Sequence, residues 1–256
     1  MTKALENLLD SYNLRARLFP ATLVLLPLGL GAAAWVPIDV QGLGTLGALA
    51  ASVGLATLLQ QFARDEGKRK EDGLYRLWAG KPSVRMLSYA HSGLNRRTLT
   101  RCHAQLRALA PDLAIPASLE DEAKNPTDAS VVYEACSDFL VAKTRDKDKF
   151  SLLFEENMNY GFRRNLWGLK PYGIATVLVG LAAIGFRVAS VWQSQAQVEA
   201  IQVGCAAASF VLLLVWCFVV KPGWVRRAAE AYAGRLVLCC DQLEPPKGTV
   251  RSADPA

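Results

Sequence analysis

The chain has 256 residues, of which 52% are hydrophobic and 20% charged, and its formal net charge is +6. This composition excludes a transporter built almost wholly of membrane spans, because a large part of the chain must lie outside lipid. The basic excess does not require a nucleic-acid partner, since membrane topology and attraction to anionic lipid head groups account for it, and nucleic-acid binding is therefore not expected.

Four long apolar runs divide the sequence. They cover residues 18–38, 40–63, 171–186 (continuing past Arg187 to 198) and 200–220, and Arg187 is the only charged residue inside them. A helix needs about 20 apolar residues to cross roughly 30 Å of hydrocarbon, so each run is long enough for one span. Strands are not expected, because the runs lack polar alternation and an open sheet would leave backbone groups unpaired in lipid.

The distribution of basic residues predicts the orientation. All but one of the 29 Lys and Arg residues lie before the first run, in the loop 64–170 or after the last run. By the positive-inside rule we expect both termini and this loop on the cytoplasmic side of the membrane. The predicted fold class is an all-α membrane protein with four transmembrane helices arranged as two hairpins. Its expected segments are an N-terminal interfacial helix (1–17), hairpin 1 (18–63), a cytoplasmic helical domain (64–170), hairpin 2 (171–220) and a cytoplasmic tail (221–256).

The first run also has features of a cleavable secretory signal, namely a basic start, a leucine-rich centre and alanines at 32–34. We favour a retained span, because the run is long. Cleavage would also leave the second run in the wrong orientation for the basic cluster that follows it.

Small residues recur in the runs at the spacing of close helix contacts, which favours helix association in lipid. These pairs are Gly47 with Ala51, Ala50 with Gly54, and Gly204 with Ala208. A homo-oligomer is expected, although the same pairs are compatible with packing inside one subunit. No ionisable residue lies at a bilayer midplane, which argues against a proton relay or a coupled transporter. A pore between subunits would be lined by weakly polar residues of the second run, listed here as candidates: Thr45, Ser52, Thr57, Gln60 and Gln61.

The loop 64–170 has helical signals and no strand pattern. Asn95 precedes a periodic stretch that ends before Pro111, and Ser118 with Asp121 forms a capping pattern. Asn125 is placed to cap a helix over 129–144, and a further helix over 150–159 is expected to lead into the third run. We therefore predict a small helical domain.

Catalytic patterns are missing from the sequence. The two histidines, His91 and His103, carry no metal-ligand spacing, and Cys102 beside His103 points about 100 degrees away on a helix. The six cysteines include no C-x-x-C pair, so we expect reduced thiols. No phosphate-binding glycine loop or nucleophile motif is present, and we predict a non-enzyme without metal or cofactor.

The junction between the loop and the third run is unusually rich in Asn and Arg. Its polar residues are candidates for a site that binds an anionic ligand or a partner protein and signals to the third span, with three loop arginines as further donors. The candidate set is Asn157, Asn159, Tyr160, Arg163, Arg164, Asn165, Arg85, Arg96 and Arg97. The competing interpretation is a positive-inside anchor whose polar residues simply hydrogen-bond at the membrane surface.

Residues 160–171, together with 77–82, resemble a group of little-characterised bacterial four-span membrane proteins associated with anti-phage defence loci. The resemblance implies a membrane effector or sensor used against infection. Our first hypothesis is accordingly an oligomer in the bacterial inner membrane, whose cytoplasmic domain receives a ligand or partner and whose spans then alter membrane integrity. The alternative is a non-catalytic membrane anchor or adaptor that recruits a soluble partner protein through the basic loop.

Overall fold

The computed structural model describes residues 13–35 and 45–244, with the backbone alone for 13 and 45–56. Within these ranges the chain is helical and contains no strand, which confirms the all-α prediction. The α-helices are α1 (Phe19–Ala33), α2 (Thr45–Arg69), α3 (Glu71–Leu77), α4 (Pro82–Leu87), α5 (Arg96–Leu109), α6 (Leu119–Lys124), α7 (Pro126–Lys143), α8 (Ser151–Gln193), α9 (Ala200–Leu214) and α10 (Pro222–Leu238). Short π-helical segments occupy Asn13–Leu18 and Val215–Val219, and a 3-10 turn occupies Cys239–Gln242.

Three loop helices begin at the caps expected from the sequence. The side chains of Asn95, Ser118 and Asn125 accept hydrogen bonds from backbone N–H groups in the first turns of α5, α6 and α7. Each bond satisfies one N–H group that has no partner inside its helix, and such a cap stabilises a helix by about 1 kcal/mol. Local sequence therefore determines where these helices start.

Three helical segments in the described ranges are long and apolar enough to cross a membrane: Leu14–Ala33, Ser151–Gln193 and Ala200–Val219. Large apolar side chains on them face outward, including Phe186 (71% exposed) and Phe218 (65% exposed). An outward apolar surface of this kind is typical of helices whose solvent is lipid, so the chain is a helical protein of membrane type. The second predicted run lies partly outside the described residues at 36–44, and the rest of it forms the first part of α2.

Helix α8 contains a proline at the start of the third apolar run. Because the helix starts at Ser151, Pro171 lies in its interior and not in its first turn. Proline has no N–H to donate to the carbonyl four residues earlier, so one hydrogen bond of the helix is missing at this point. The neighbouring carbonyl of Gly168 accepts a hydrogen bond from Lys70 Nζ at 2.9 Å. Lys70, which lies between α2 and α3, thus supplies a donor beside Pro171. Helix α8 continues past the proline and is about 65 Å long in all, at 1.5 Å per residue.

The chain forms two compact units. The apolar unit comprises the described residues up to Leu74 and the segment Met158–Arg226, and the loop unit comprises Tyr75–Asn157 and the described residues from Arg227 onward. The loop unit has its own core of buried apolar residues, to which the C-terminal residues Leu236 and Val237 contribute. The structure therefore groups residues 64–74 and 158–170 with the apolar unit. The domain limits drawn from the sequence, which concern the side of the membrane, stay predictions.

Candidate functional site

A buried polar cluster lies in the apolar unit and joins α3 to α8. Arg164 donates from Nη1 to Glu71 Oε1 at 2.9 Å, and the Tyr160 hydroxyl donates to the same oxygen at 2.7 Å. Arg164 also donates from Nε and Nη2 to Asn165 Oδ1, both at 3.3 Å. All four residues are buried. The polar groups of the predicted junction are thus largely satisfied by one another and by an acid from a different helix.

Electrostatics keep this cluster charged. Burial disfavours the Glu71 carboxylate, but the charge of Arg164 and the hydrogen bonds from Tyr160 and Arg164 outweigh it, so the pKa of Glu71 lies below its ordinary value. Lys68 Nζ adds an ion pair with Glu71 Oε2 at 3.1 Å. The pair of opposite charges, rather than a neutral carboxylic acid, is therefore the stable form at neutral pH.

Glycines allow α2 and α8 to approach closely beside the cluster. A Cβ added to Gly168 would lie 2.5 Å from the backbone N of Gly67, and a Cβ on Gly67 would collide with Asn165. The Nδ2 of Asn165 donates to the carbonyl of Ala16 at 2.7 Å. Asn165 therefore joins α8 to the segment before α1, at the position where α2 also crosses. Only glycine fits at position 168, because the atoms that its Cβ would meet are backbone atoms of Glu66 and Gly67 and cannot move aside.

Arg163 has a different environment from Arg164. Its guanidinium lies over the Trp224 ring, 4.9 Å from the centroid, and Nη1 donates to the Trp224 carbonyl at 3.0 Å. Lys170 Nζ donates to the Val220 carbonyl at 2.8 Å. These two cations hold the segment that follows α9, whereas Arg164 is directed at α3. The adjacent arginines of the predicted junction consequently have separate roles.

The remaining junction candidates do not join this cluster. Asn159 is exposed, and Asn157 belongs to the loop unit, where it lines a small groove with Tyr232 and Thr144. Arg85, Arg96 and Arg97 also belong to the loop unit. Of the nine candidates, the structure brings Tyr160, Arg164 and Asn165 together.

Arg85 lines a cleft of about 280 Å³ in the loop unit, between α4 and α7. Its Nη1 donates to the Trp78 carbonyl, beside a turn in which Gly80 adopts φ +122°, a conformation that favours glycine. Lys81 borders the same cleft and pairs with Glu134 and Asp138 at 3.4 and 3.3 Å. Arg96 and Arg97 instead lie exposed in the first turn of α5.

Glu122 forms the polar floor of this cleft. Its carboxylate accepts hydrogen bonds from Ser88 Oγ at 2.6 Å, from Tyr89 N at 2.6 Å and from the Tyr133 hydroxyl at 2.9 Å. Burial works against its charge, but these donors prevail and the pKa of Glu122 is lowered. His91 Nδ1 lies 3.2 Å from Ser88 Oγ. The cleft therefore combines a hydrogen-bonded carboxylate with the cationic side chains of Arg85 and Lys81, which is suited to binding a small polar ligand or a polar side chain of a partner protein.

Three pore-lining candidates are described with side chains. Thr57 and Gln61 are exposed, whereas Gln60 is buried, and its Nε2 has no hydrogen-bond partner among the described residues. Thr45 and Ser52 lie where side chains are not described. Gln60 therefore packs inside the unit, unlike its neighbour Gln61.

The close helix contacts that are visible use glycines outside the predicted pairs. A Cβ on Gly31 would lie 3.2 Å from Gly180 Cα, and a Cβ on Gly173 would overlap the Trp216 ring. Within the described residues no atom lies within 4 Å of a Cβ placed on Gly204. The pairs Gly47 with Ala51 and Ala50 with Gly54 fall where side chains are not described. Spacing along the chain suggested packing motifs, but large partners such as Trp216 lie on distant segments and cannot be inferred from it.

Comparisons with known proteins add no relative: no family model, curated protein or solved structure matches this chain. Function must therefore be argued from the geometry above.

Proposed function

We propose that the protein is an oligomeric inner-membrane effector or sensor. In this proposal the loop unit receives a ligand or partner on the cytoplasmic side, and the apolar helices rearrange to alter membrane integrity. The arrangement in the membrane is four spans with both termini in the cytoplasm. Anti-phage defence is the proposed setting, which comes from the resemblance of residues 160–171 and 77–82 described above.

The observation that carries this proposal is the path of α8. The helix begins at Ser151 in the loop unit and ends at Gln193 in the apolar unit, and it holds Tyr160, Arg164 and Asn165 along the way. A change that shifts the start of this helix therefore acts on the same continuous helix that carries an apolar span. No other described segment combines the junction residues with a stretch able to cross lipid.

The ion pair of Glu71 and Arg164 supports a switching role. Buried ion pairs contribute little net stability relative to apolar packing, and their best attested use is to specify one arrangement over another. Here the pair selects the register of α8 against α3, with Tyr160 and Asn165 as additional hydrogen-bonding partners. Loss of the pair would leave the register of α8 against α3 unspecified, so that a shift at the start of the helix would no longer be passed to its apolar part.

The test uses the full chain reconstituted in vesicles of phosphatidylethanolamine and phosphatidylglycerol that hold a self-quenching dye. Soluble extract from phage-infected cells is added, with extract from uninfected cells as the control. We expect dye release with the infected extract for the natural sequence and for Arg163→Gln, and not for Arg164→Glu. Vesicles that stay intact with every extract would exclude the effector model, and extract protein captured without leakage would indicate the adaptor alternative.

Orientation is tested separately with reporter fusions at residue 120 and at the C-terminus. We expect both fusions to be active on the cytoplasmic side. A fusion at residue 120 that is active in the periplasm would invalidate the proposed topology, whatever the result of the leakage assay.

A further inference from the structure

Two buried thiols and a carboxylate converge in the loop unit at a place that the effector proposal does not use. Cys102 lies on α5, and Cys240 and Asp241 lie in the 3-10 turn Cys239–Gln242. The two Sγ atoms and an Asp241 carboxylate oxygen are all within 4.8 Å of one another. Cys102 and Cys240 are both 0% exposed. This is the one such group of three ligand residues found in the part of the chain with described side chains.

We propose that Cys102, Cys240 and Asp241 bind a thiophilic divalent cation, with zinc as the expected ion in the cell. Thiolates and carboxylates are the ligands of this ion class, and tetrahedral zinc sites with three protein ligands keep a fourth position for water. With Zn–S bonds of about 2.3 Å, two thiolates on one tetrahedral ion are about 3.8 Å apart. In the structure the two Sγ atoms are at most 4.8 Å apart, so they need to approach each other by no more than about 1 Å to reach that geometry.

Arg101 supplies the outer shell that such a site needs. Its Nε and Nη2 donate to Asp241 Oδ1 and Oδ2 at 3.2 and 2.7 Å, which fixes the orientation of the carboxylate. Binding removes one proton from each thiol to solvent. The two thiolates and the carboxylate then balance the charge of the divalent ion together with that of Arg101, so the occupied site is neutral.

The site is accessible from one side only. The Arg101 and Asp241 side chains are 63% and 34% exposed, whereas both sulfurs are covered by the core of the loop unit. An ion would therefore meet Asp241 first and then the thiols. Occupancy would join the C-terminal turn to α5, which adds binding free energy to the stability of this unit.

The binding test uses the full chain in detergent, reduced with a phosphine and freed of metal by a chelator, and titrated with Cd²⁺. We expect one ion per chain and a cadmium–thiolate charge-transfer band in the near ultraviolet. Cys102→Ser and Cys240→Ser should each abolish stoichiometric binding, and Asp241→Asn should keep the thiolate band but weaken binding at least about tenfold. Cys136→Ser, which changes a buried thiol of the same core, is the matched control and should bind as the natural chain does.

A second measurement uses the natural chain and so does not depend on whether the variants fold. Zinc should slow the alkylation of Cys102 and Cys240 but not of Cys136, and a chelator should reverse the protection. The proposal is overturned if no charge-transfer band forms, if the band survives Cys102→Ser, or if alkylation is unchanged by zinc. A Cys102–Cys240 disulfide in the chain as isolated would also overturn it, because it would identify a redox pair instead.

Discussion

Replacing Arg164 by glutamine tests the energetics of the buried cluster. The substitution leaves the Glu71 carboxylate, whose side chain is 10% exposed, without its guanidinium partner. Breaking a buried ion pair by removing one member costs about 3 to 5 kcal/mol, because the remaining charge stays desolvated. Tyr160 still donates to Glu71, and Lys68 still pairs with it from a position that is 57% exposed. We therefore expect a loss at the lower end, about 3 kcal/mol.

The neighbouring arginine provides the control. Arg163→Gln removes a stacking contact with the Trp224 ring and one hydrogen bond to a backbone carbonyl. Such contacts at a partly exposed position are worth about 1 kcal/mol together. The two substitutions are chemically identical and adjacent in the chain, so the difference between them reports the buried pair.

The assay is unfolding of the full chain in mixed detergent and SDS micelles, followed by helical circular dichroism. Glu71→Gln, Arg164→Gln and the double variant complete a mutant cycle, for which we expect a coupling of about 2 kcal/mol. The reasoning is refuted if Arg163→Gln destabilises as much as Arg164→Gln, or if the coupling is within about 0.5 kcal/mol of zero.

Three further predictions concern the same fold. The pKa of Glu71 is lowered in the folded chain, so the stability that its carboxylate contributes is lost as pH falls through that pKa. The melting temperature of the natural chain should therefore fall more steeply than that of Glu71→Gln between about pH 7 and pH 3. An equal pH dependence of the two melting temperatures would contradict this. Gly168→Ala should lower the free energy of unfolding in the micelle assay by about 1 to 3 kcal/mol. Gly185→Ala on the same helix should be nearly neutral, because no atom of the described residues lies within 4 Å of its Cβ. Equal effects of the two substitutions would exclude the close crossing. Asn125→Ala should lower stability by about 1 kcal/mol through loss of the α7 cap, and exposed Ser130→Ala should not; a neutral Asn125 variant would show that the cap is dispensable.

The sequence predicts the helices of the loop well, because their signals are local. Caps at Asn95, Ser118 and Asn125 act within three residues of the helix start, and the structure confirms all three. Apolar runs likewise predict the long helices around Pro171 and Ala200, although not that α8 would pass through Pro171 without ending. A proline is a local signal for a helix end, and the tertiary contact between Lys70 and Gly168 is not local.

The candidate site is only half predictable for the same reason. Tyr160, Arg164 and Asn165 attract attention as a dense polar segment, but their acidic partner Glu71 is 93 residues from Arg164 in the chain. In the sequence, Glu71 is one of many acidic residues of the loop. Composition identifies a group that needs a partner, and only the fold identifies the partner.

The sequence does not predict the proposed thiol site, for the same reason. Arg101 and Asp241 are 140 residues apart in the chain. Metal-binding sequence motifs consist of ligands a few residues apart, so they do not reveal a site whose members are this distant in sequence. The sequence predicts only a cytoplasmic tail after the last apolar run. Its residues Leu236, Val237 and Cys240 are instead part of the core of the loop unit.

This division of one core between residues 75–157 and a segment that follows the last apolar run sets an order of events during synthesis. The ribosome releases residues 75–157 long before Leu236 and Val237, so the middle segment waits with an open apolar face while the later helices are made. Completion of this core is thus coupled to the synthesis of α10 and the 3-10 turn that follows it. A nascent chain that stalls before α10 would keep this apolar face exposed and would be a substrate for chaperones and proteases.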